Sequence, residues 1–191
     1  MIQAKRCQAK TTIVALFAVW SLIHNPLLRI LIVSAGGATA KDIAILIIRL
    51  INNMDILECM RPDVRAGDRC SVEGFDIHHT LRGVEKTASI ACTGITGTMT
   101  SRRADIIIPD DIEHPGNSDT QLMREKILER SREFSDLCID GRILYLGTPQ
   151  SVDSIYNTLP SRGFTVRIWP GRYPTESQID NYHGNLAPYI L

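Results

Sequence analysis

Asp105-Ile-Ile-Ile-Pro-Asp-Asp-Ile-Glu113 places three consecutive isoleucines before a group of carboxylates. A short, β-branched apolar run is typical of a strand that is buried on both faces of a parallel sheet. Open α/β sheets bind their ligands at the carboxyl ends of such strands. The segment therefore predicts a central strand over residues 106–108 that ends in a metal site.

Strand and helix patterns alternate on both sides of this segment. Apolar runs predict further strands over residues 27–34, 71–77, 89–92, 142–146 and 164–169. Helical patterns cover residues 11–22, 38–51, 120–135 and 152–159. Because such an alternation is typical of α/β folds, we expect a mostly parallel sheet flanked by helices.

The size and composition favour one globular domain. Of the 191 residues, 44% are hydrophobic and 22% are charged, which are ordinary values for a globular chain. Lysine and arginine together number 21, as do aspartate and glutamate, so any basic patch for nucleic acid must be local. The apolar runs at residues 12–23 and 43–51 are shorter than the roughly 20 residues that span a bilayer. We therefore predict no membrane association and no signal peptide.

The cysteines are widely scattered, at Cys7, Cys59, Cys70, Cys92 and Cys138. No pair has the close spacing of a zinc site. This usage favours free thiols in a reducing cytosol over disulfides or a structural metal.

Residues 4–11, which read Ala-Lys-Arg-Cys-Gln-Ala-Lys-Thr, have the eight-residue spacing of a phosphate-binding loop. In such a loop, backbone N–H groups bind phosphate oxygens, the lysine adds positive charge and the hydroxyl ligates magnesium. Lys10 and Thr11 supply the last two groups. Alanines occupy both signature glycine positions, where the backbone must approach phosphate closely. Taken by itself the motif favours a basic helix start with Lys10 in solvent, whereas the rest of the chain favours a phosphate loop.

The carboxylates after the central strand supply the rest of a nucleotide site. Asp110 lies where a strand end would present a ligand to Mg²⁺, which Thr11 would also reach. A second carboxylate would orient the attacking water in phosphoryl transfer. Asp111 has the adjacent spacing for that role and Glu113 has the usual side-chain type, so both remain candidates. The alternative interpretation is a solvated turn.

Residues 144–150, Leu-Tyr-Leu-Gly-Thr-Pro-Gln, form a second apolar run that ends in small polar residues. We expect this strand end to lie near the carboxylates. An ordinary turn, in which Thr148 or Ser151 caps the next helix, is the alternative. Three arginines are candidates for stabilising charge on a γ-phosphate: Arg6, Arg102 and Arg103.

The motifs together resemble one protein family. Residues 93–113, from Thr-Gly-Ile-Thr-Gly to Pro-Asp-Asp-Ile-Glu, look like the Walker B region of large-subunit terminases from short-tailed, autographivirus-type phages. Residues 29–35, 144–150 and 168–170 resemble other parts of the same ATPase domain in the same order. The resemblance extends over essentially the whole chain, and its specificity lies in the combination of motifs.

This resemblance implies a P-loop NTPase core that hydrolyses ATP with Mg²⁺. Thr11 and Asp110 match the family's magnesium-binding groups, and Asp111 and Glu113 lie in its catalytic acidic cluster. The nucleotide-binding segment would comprise Arg6, Cys7, Gln8, Ala9, Lys10, Thr11 and Thr12.

The resemblance also implies partners. Members of the family drive double-stranded DNA into a procapsid, so the expected partners are that DNA, the phage portal and the small terminase subunit in the host cytoplasm. A ring of copies on the portal is expected. Thr148 and Gln150 match the coupling motif, which relays the nucleotide state to the grip on DNA.

Two departures from the family affect the expected domain organisation. Only Met1-Ile-Gln3 precede the phosphate loop, so the first strand is expected to be truncated and to leave an unpaired edge. Residues 1–175 are expected to form the ATPase core, and residues 176–191 the start of a linker toward an absent nuclease domain. No nuclease activity is therefore expected. Together with Ala9, these departures leave two alternatives: a degenerate, non-catalytic terminase fragment such as a prophage remnant, and a helicase-like ATPase.

Overall fold

The computed structural model describes residues 1–5, 7–99, 103–172 and 174–188. The strands in these residues are β1 (Ile2–Ala4), β2 (Ile30–Ser34), β3 (Gly74–Phe75), β4 (Ile90–Gly94), β5 (Ile106–Asp110), β6 (Arg142–Ile143), β7 (Leu146–Gly147) and β8 (Arg167–Trp169). They form one sheet in the order β3-β4-β2-β5-β7-β1-β8, and β6 pairs with β5. The strands pair in parallel except for β3 with β4.

Helices cover both faces of this sheet. In the described part of the chain the α-helices are α1 (Lys10–His24), α2 (Gly37–Asn53), α3 (His79–Arg82), α4 (Pro115–Ser118), α5 (Gln121–Leu137), α6 (Ile155–Thr158) and α7 (Glu176–Ile179). The helices predicted over residues 11–22, 38–51 and 120–135 correspond to α1, α2 and α5. The helix predicted over residues 152–159 is shorter than expected, because α6 begins only at Ile155 and ends at Thr158.

The core lies on both faces of the central strands. Because side chains alternate along a strand, Ile30 and Ile32 of β2 pack with α1 and α2, while Leu31 and Val33 pack on the opposite face with Phe134 of α5. All five residues of β2 are buried, as are all five of β5. This two-sided burial is the physical reason for the uninterrupted apolar runs, and the predicted α/β class is confirmed.

The strand predicted over residues 142–146 is split in two. β6 pairs with the beginning of β5, whereas β7 meets β5 only where Leu146 lies opposite Asp110. Between them the backbone turns toward β1, because Leu144 N donates to Ile107 O while Ile2 N donates to Tyr145 O. As a result, β7 lies between β5 and β1 and brings its carboxyl end beside Asp110.

The first strand is short but paired on both sides. Ile2 lies opposite Leu146 of β7 and Arg167 of β8, so β1 occupies an interior position and is not an edge strand. The unpaired edge expected from a truncated first strand is therefore not present in the sheet. This pairing fixes the direction in which the chain enters the loop before α1.

The segment after β8 folds back onto that strand. Ile168 N donates to Asn185 O, and Ala187 N donates to Ile168 O, so residues 185–187 run beside β8. The assignment of residues 176–191 to a linker stays a prediction. No helix among the described residues is long and apolar enough to cross a membrane.

Candidate functional site

The phosphate-loop segment connects β1 to α1, the strand–loop–helix arrangement of a P-loop NTPase core. Cys7 and Ala9 adopt left-handed backbone conformations, with φ of 66° and 55°. For residues that carry a Cβ, this conformation costs about 1–2 kcal/mol each. The loop thus has the backbone shape that glycine normally provides. Arg6, another predicted loop residue, lies outside the described residues.

Gln8 ties this loop to the sheet. Its Oε1 accepts a 2.8 Å hydrogen bond from Lys5 N, and its Nε2 donates to Pro170 O at 3.3 Å. Pro170 directly follows β8, which pairs with β1 on the side opposite β7. The hydrogen bond therefore holds the loop against the end of β8.

Lys10 is buried against the start of its own loop. Its Nζ donates to Ala4 O at 3.1 Å, to Lys5 O at 3.3 Å and to Thr148 Oγ1 at 3.1 Å. Thr148 Oγ1 in turn donates to Ala4 O at 2.6 Å. A lysine in solvent, the alternative suggested by the loop motif alone, is therefore excluded. The ammonium lies at the shared carboxyl edge of β1 and β7.

Thr11 and Asp110, the two predicted magnesium-binding residues, are in direct contact. Thr11 Oγ1 donates to Asp110 Oδ2 at 2.9 Å, and this bond links the first turn of α1 to the end of β5. Asp110 is only 1% exposed. Burial raises its pKa from 3.8 to about 6; Asp111 also raises it, whereas the bond from Thr11 and the charge of Lys10 act in the opposite direction.

The residues around Asp110 fit a magnesium ion. Asp110 Oδ1 and Ser34 Oγ are buried without a hydrogen-bond partner in the described part of the chain. Ser34 lies directly opposite Asp110 in the pairing of β2 with β5. No group of three or more acidic, histidine or cysteine side chains converges as a metal cage in the described ranges. Mg²⁺ is usually held by one or two carboxylates plus phosphates and water, so Thr11 and Asp110 suit it.

Asp111 and Glu113 have different environments although they are close in sequence. Asp111 has a left-handed backbone with φ 41°, and its side chain is 43% exposed. Its Oδ2 lies 3.7 Å from Lys10 Nζ. Asp111 therefore forms a partly exposed ion pair with the lysine.

Glu113 is buried, at 2% exposure, and one of its oxygens is held firmly. Oε2 accepts hydrogen bonds from Ser154 Oγ at 2.8 Å and from Ile155 N at 2.9 Å. The other oxygen, Oε1, has no partner among the described residues. The carboxylate is thus held at Oε2, whereas Oε1 is buried without a hydrogen-bond partner there.

A cavity of about 430 Å³ lies between the phosphate-loop segment and the carboxylates Asp111 and Glu113; Asp110 and Thr148 do not line it. Its lining includes most of the predicted site residues, namely Cys7, Gln8, Ala9, Lys10, Thr11, Asp111, Glu113 and Gln150. Ligand pockets commonly have volumes of about 300–1,000 Å³, so its size suits a small molecule.

Other candidate residues lie elsewhere. Thr12 is exposed on α1 and is not among the residues that line the cavity. Arg103 lines a different cavity with Arg29 and Arg69, so the described arrangement does not bring it to the site. Arg102 is outside the described residues.

The residues of the site that were not predicted from the sequence include Ser34, Ser154 and Tyr156. Ser34 could have been found, because it ends a predicted parallel strand beside the acidic one. Ser154 and Tyr156 carried no such signal. Tyr156 is buried, and its ring packs against Gly147. Its pKa is raised well above the usual value, by burial first and then by the charge of Asp111, with smaller contributions from nearby carboxylates.

Comparison with known proteins identifies one relative by sequence. The chain is 40% identical over 195 residues to the terminase large subunit of Enterobacteria phage T3. The match covers all of this chain but 33% of the T3 protein, so the chain spans about a third of its curated relative's length. No protein-family model matches the sequence.

Two solved structures are similar in fold to the whole chain. They are the Thermus phage P74-26 large terminase ATPase domain and a point variant of that domain. Both are 16% identical to this chain, which covers 72% of each, and the TM-scores are 0.48 and 0.49. This likeness concerns the fold alone.

Proposed function

We propose that this chain, which is related along its whole length to a third of a phage terminase large subunit, is the ATPase portion of a motor that packages double-stranded DNA. One observation carries the proposal. Thr11 of the phosphate-loop motif donates to the buried strand-end carboxylate of Asp110. The lysine of the same motif, Lys10, bonds Thr148 at the same edge of the sheet. Such a combination supports nucleotide hydrolysis, because phosphoryl transfer depends chiefly on positioning and electrostatic stabilisation.

The loop and the start of α1 would bind the phosphates of ATP. Backbone N–H groups near residues 7–11 and the helix N-terminus attract phosphate oxygens, and Lys10 adds positive charge. Mg²⁺, when bound, would neutralise charge on the phosphate oxygens. Thr11 and Asp110 would hold it, and Ser34 offers a further buried hydroxyl beside them.

Glu113 is the carboxylate that we assign to the attacking water. Its Oε1 is buried and has no hydrogen-bond partner among the described residues, while its Oε2 accepts two hydrogen bonds. In hydrolysis the water oxygen bonds to the γ-phosphorus, the bond to the bridging oxygen breaks, and Glu113 Oε1 accepts the water proton. The products are ADP and phosphate. Asp111 suits this role less well, because it is partly exposed and faces Lys10 at 3.7 Å.

The wider assembly follows from the relationship to the T3 protein. We propose double-stranded DNA, the phage portal and the small terminase subunit as partners, with copies of the chain in a ring on the portal in the host cytoplasm. Thr148 and Gln150 would couple the nucleotide site to DNA. The contact of Thr148 with Lys10 supports the nucleotide end of that coupling.

Steady-state phosphate release from ATP by the 191-residue chain tests the hydrolytic role. We expect Mg²⁺-dependent turnover that Lys10→Ala and Asp110→Ala abolish while the fold is retained. Lys126→Ala is the matched control, because Lys126 is an exposed lysine on α5 and should leave turnover unchanged. Equal turnover in the wild type and in a folded Lys10→Ala variant would contradict the proposal.

A comparison of two amide variants tests the carboxylate assignment. Glu113→Gln should lower kcat by about 100-fold or more, the range typical of a lost general base, with the Kd for ATP little changed. Asp111→Asn should lower kcat by less than about tenfold. The reverse ranking would assign the water to Asp111.

The packaging role requires partners in the assay. Double-stranded DNA together with procapsids should stimulate turnover more than either component alone. Full stimulation by DNA without procapsids would instead support the helicase-like alternative.

A further inference from the structure

The turn after β7 contacts the site at both of its ends. At its beginning Thr148 bonds Lys10, and at its end Ser154 bonds Glu113. We infer that Ser154 is a positioning residue, whose hydroxyl holds the Glu113 carboxylate with Oε1 directed to the nucleotide cavity. This inference rests on the proposed ATPase function and adds a residue to its machinery.

The hydrogen-bond pattern on Glu113 carries the inference. Two donors bond the same oxygen, Oε2. One is the hydroxyl of Ser154, 41 residues away in sequence, and the other is the backbone N–H of Ile155. Ser154 is 0% exposed and Glu113 is 2% exposed, so bulk water does not compete for this bond. A carboxylate held at one oxygen has its second oxygen fixed in direction, and Oε1 has no partner in the described residues.

Ser154 itself is held in place by α6. Its Oγ accepts a 3.3 Å hydrogen bond from Tyr156 N and so caps this short helix, while its proton is donated to Glu113. The ring of Tyr156 packs against Gly147, where even a Cβ would overlap the phenol. The helix is therefore seated against β7, and Ser154 has one direction in which to donate.

Two substitutions of Ser154 distinguish the loss of its hydrogen bond to Glu113 from the loss of its capping of α6. Replacing an N-cap serine with glycine lowers the folding equilibrium constant by less than about twofold, whereas replacing it with alanine lowers this constant by roughly fivefold. Neither residue has a hydroxyl. A positioning role therefore predicts equal losses of kcat, about tenfold or more, in Ser154→Gly and Ser154→Ala, with the Kd for ATP within twofold of wild type. A purely structural role predicts that kcat follows the loss of folding stability.

Ser161→Gly is the matched control, because Ser161 is exposed and its Oγ only donates to Thr158 O. It should leave kcat unchanged. In a Glu113→Ala background there is no carboxylate to position, so Ser154→Gly should then change the residual rate by less than twofold. Additive losses in this cycle would overturn the inference.

Hydrogen exchange at the Ile155 amide gives a readout that needs no turnover. Glu113→Ala removes the acceptor of this N–H and should speed its exchange at least tenfold. If Ser154 positions Glu113, Ser154→Gly should speed it by a similar factor, beyond the twofold that the cap explains. Unchanged Ile155 exchange in Ser154→Gly would overturn the inference even if the chain hydrolysed no ATP. An inactive wild type with fast exchange in the variant would count only against the ATPase proposal.

Discussion

Lys10 Nζ donates a 3.1 Å hydrogen bond to Thr148 Oγ1 and so joins the start of α1 to the end of β7. The same hydroxyl donates to Ala4 O, at the end of β1, which pairs with β7 and precedes the loop before α1. One threonine thus fixes both the lysine and the strand from which the phosphate loop begins. Thr148, which the family resemblance predicts to be a coupling residue, is thus in direct contact with Lys10, the predicted phosphate-binding residue.

Thr148→Val should lower the free energy of unfolding by about 1–3 kcal/mol, because it leaves a buried carbonyl and an ammonium each short of a partner. Urea unfolding measures this change. Thr158→Val is the matched control, since Thr158 is exposed and its hydroxyl only donates to Ile155 O. The control should lose under about 0.5 kcal/mol. Equal losses in the two variants would show that the contact with Lys10 contributes nothing.

Ala9→Gly should raise the free energy of unfolding by about 0.5–1 kcal/mol. Glycine removes the left-handed cost at φ 55° but loses more chain entropy on folding, which offsets part of the gain. Ala38→Gly, at an exposed position of α2, should instead lower it by about 0.5–1 kcal/mol.

The Ala9→Gly variant also tests whether the altered loop is degenerate. If the wild type binds ATP, the substitution should improve its Kd only modestly, because the left-handed shape is already present. Binding that appears only in the variant would instead support a non-catalytic fragment.

In metal-free protein, Asp110 should make the stability depend on pH. Its pKa is about 6 when folded, against an ordinary 3.8, so between these values the folded state binds more protons than the unfolded state. The free energy of unfolding of wild type should therefore fall, relative to Asp110→Asn, as pH rises from 4 to 7, by on the order of 3 kcal/mol. Chemical denaturation in EDTA at several pH values measures the difference. Parallel curves for the two proteins would contradict it.

Gly147→Ala should destabilise the fold by roughly 1–3 kcal/mol, the usual cost of overpacking. The new Cβ would overlap the Tyr156 ring, which is buried and has little room to move. Gly36→Ala is the control, because a Cβ there meets nothing within 4 Å and φ is −137°. Thermal unfolding should separate the two variants clearly. If both were equally stable, the seating of α6 against β7 would be looser than described.

The sequence predicted the parts of the site that depend on local pattern. Lys10 and Thr11 follow a strand at motif spacing, and Asp110 ends an apolar run. The parallel sheet then brings such strand ends to one edge. The strands and the long helices could also be predicted, because the spacing of apolar residues that indicates each of them is visible within a short stretch of sequence.

The remaining parts depend on contacts between distant segments. The bond between Ser154 and Glu113 joins residues 41 apart, and no spacing rule indicates it. The break between β6 and β7 arises because β1 inserts beside residue 145, which the apolar run at 142–146 could not reveal. For the same reason residue type alone left the choice between Asp111 and Glu113 open, and the proposed assignment to Glu113 depends on the hydrogen-bond partners of the two side chains.

The position of β1 has a consequence for how the protein is made. Ile2 pairs with Leu146 and Arg167, so the start of the phosphate loop depends on segments that leave the ribosome much later. Contacts of such long sequence separation form slowly, because a long loop must close first. The central strands β2, β4 and β5 can pair before the segments of β7 and β8 are made, whereas β1 and the loop that follows it pair only after those segments appear. A nascent chain should therefore acquire its central strands before the loop between β1 and α1 becomes ordered.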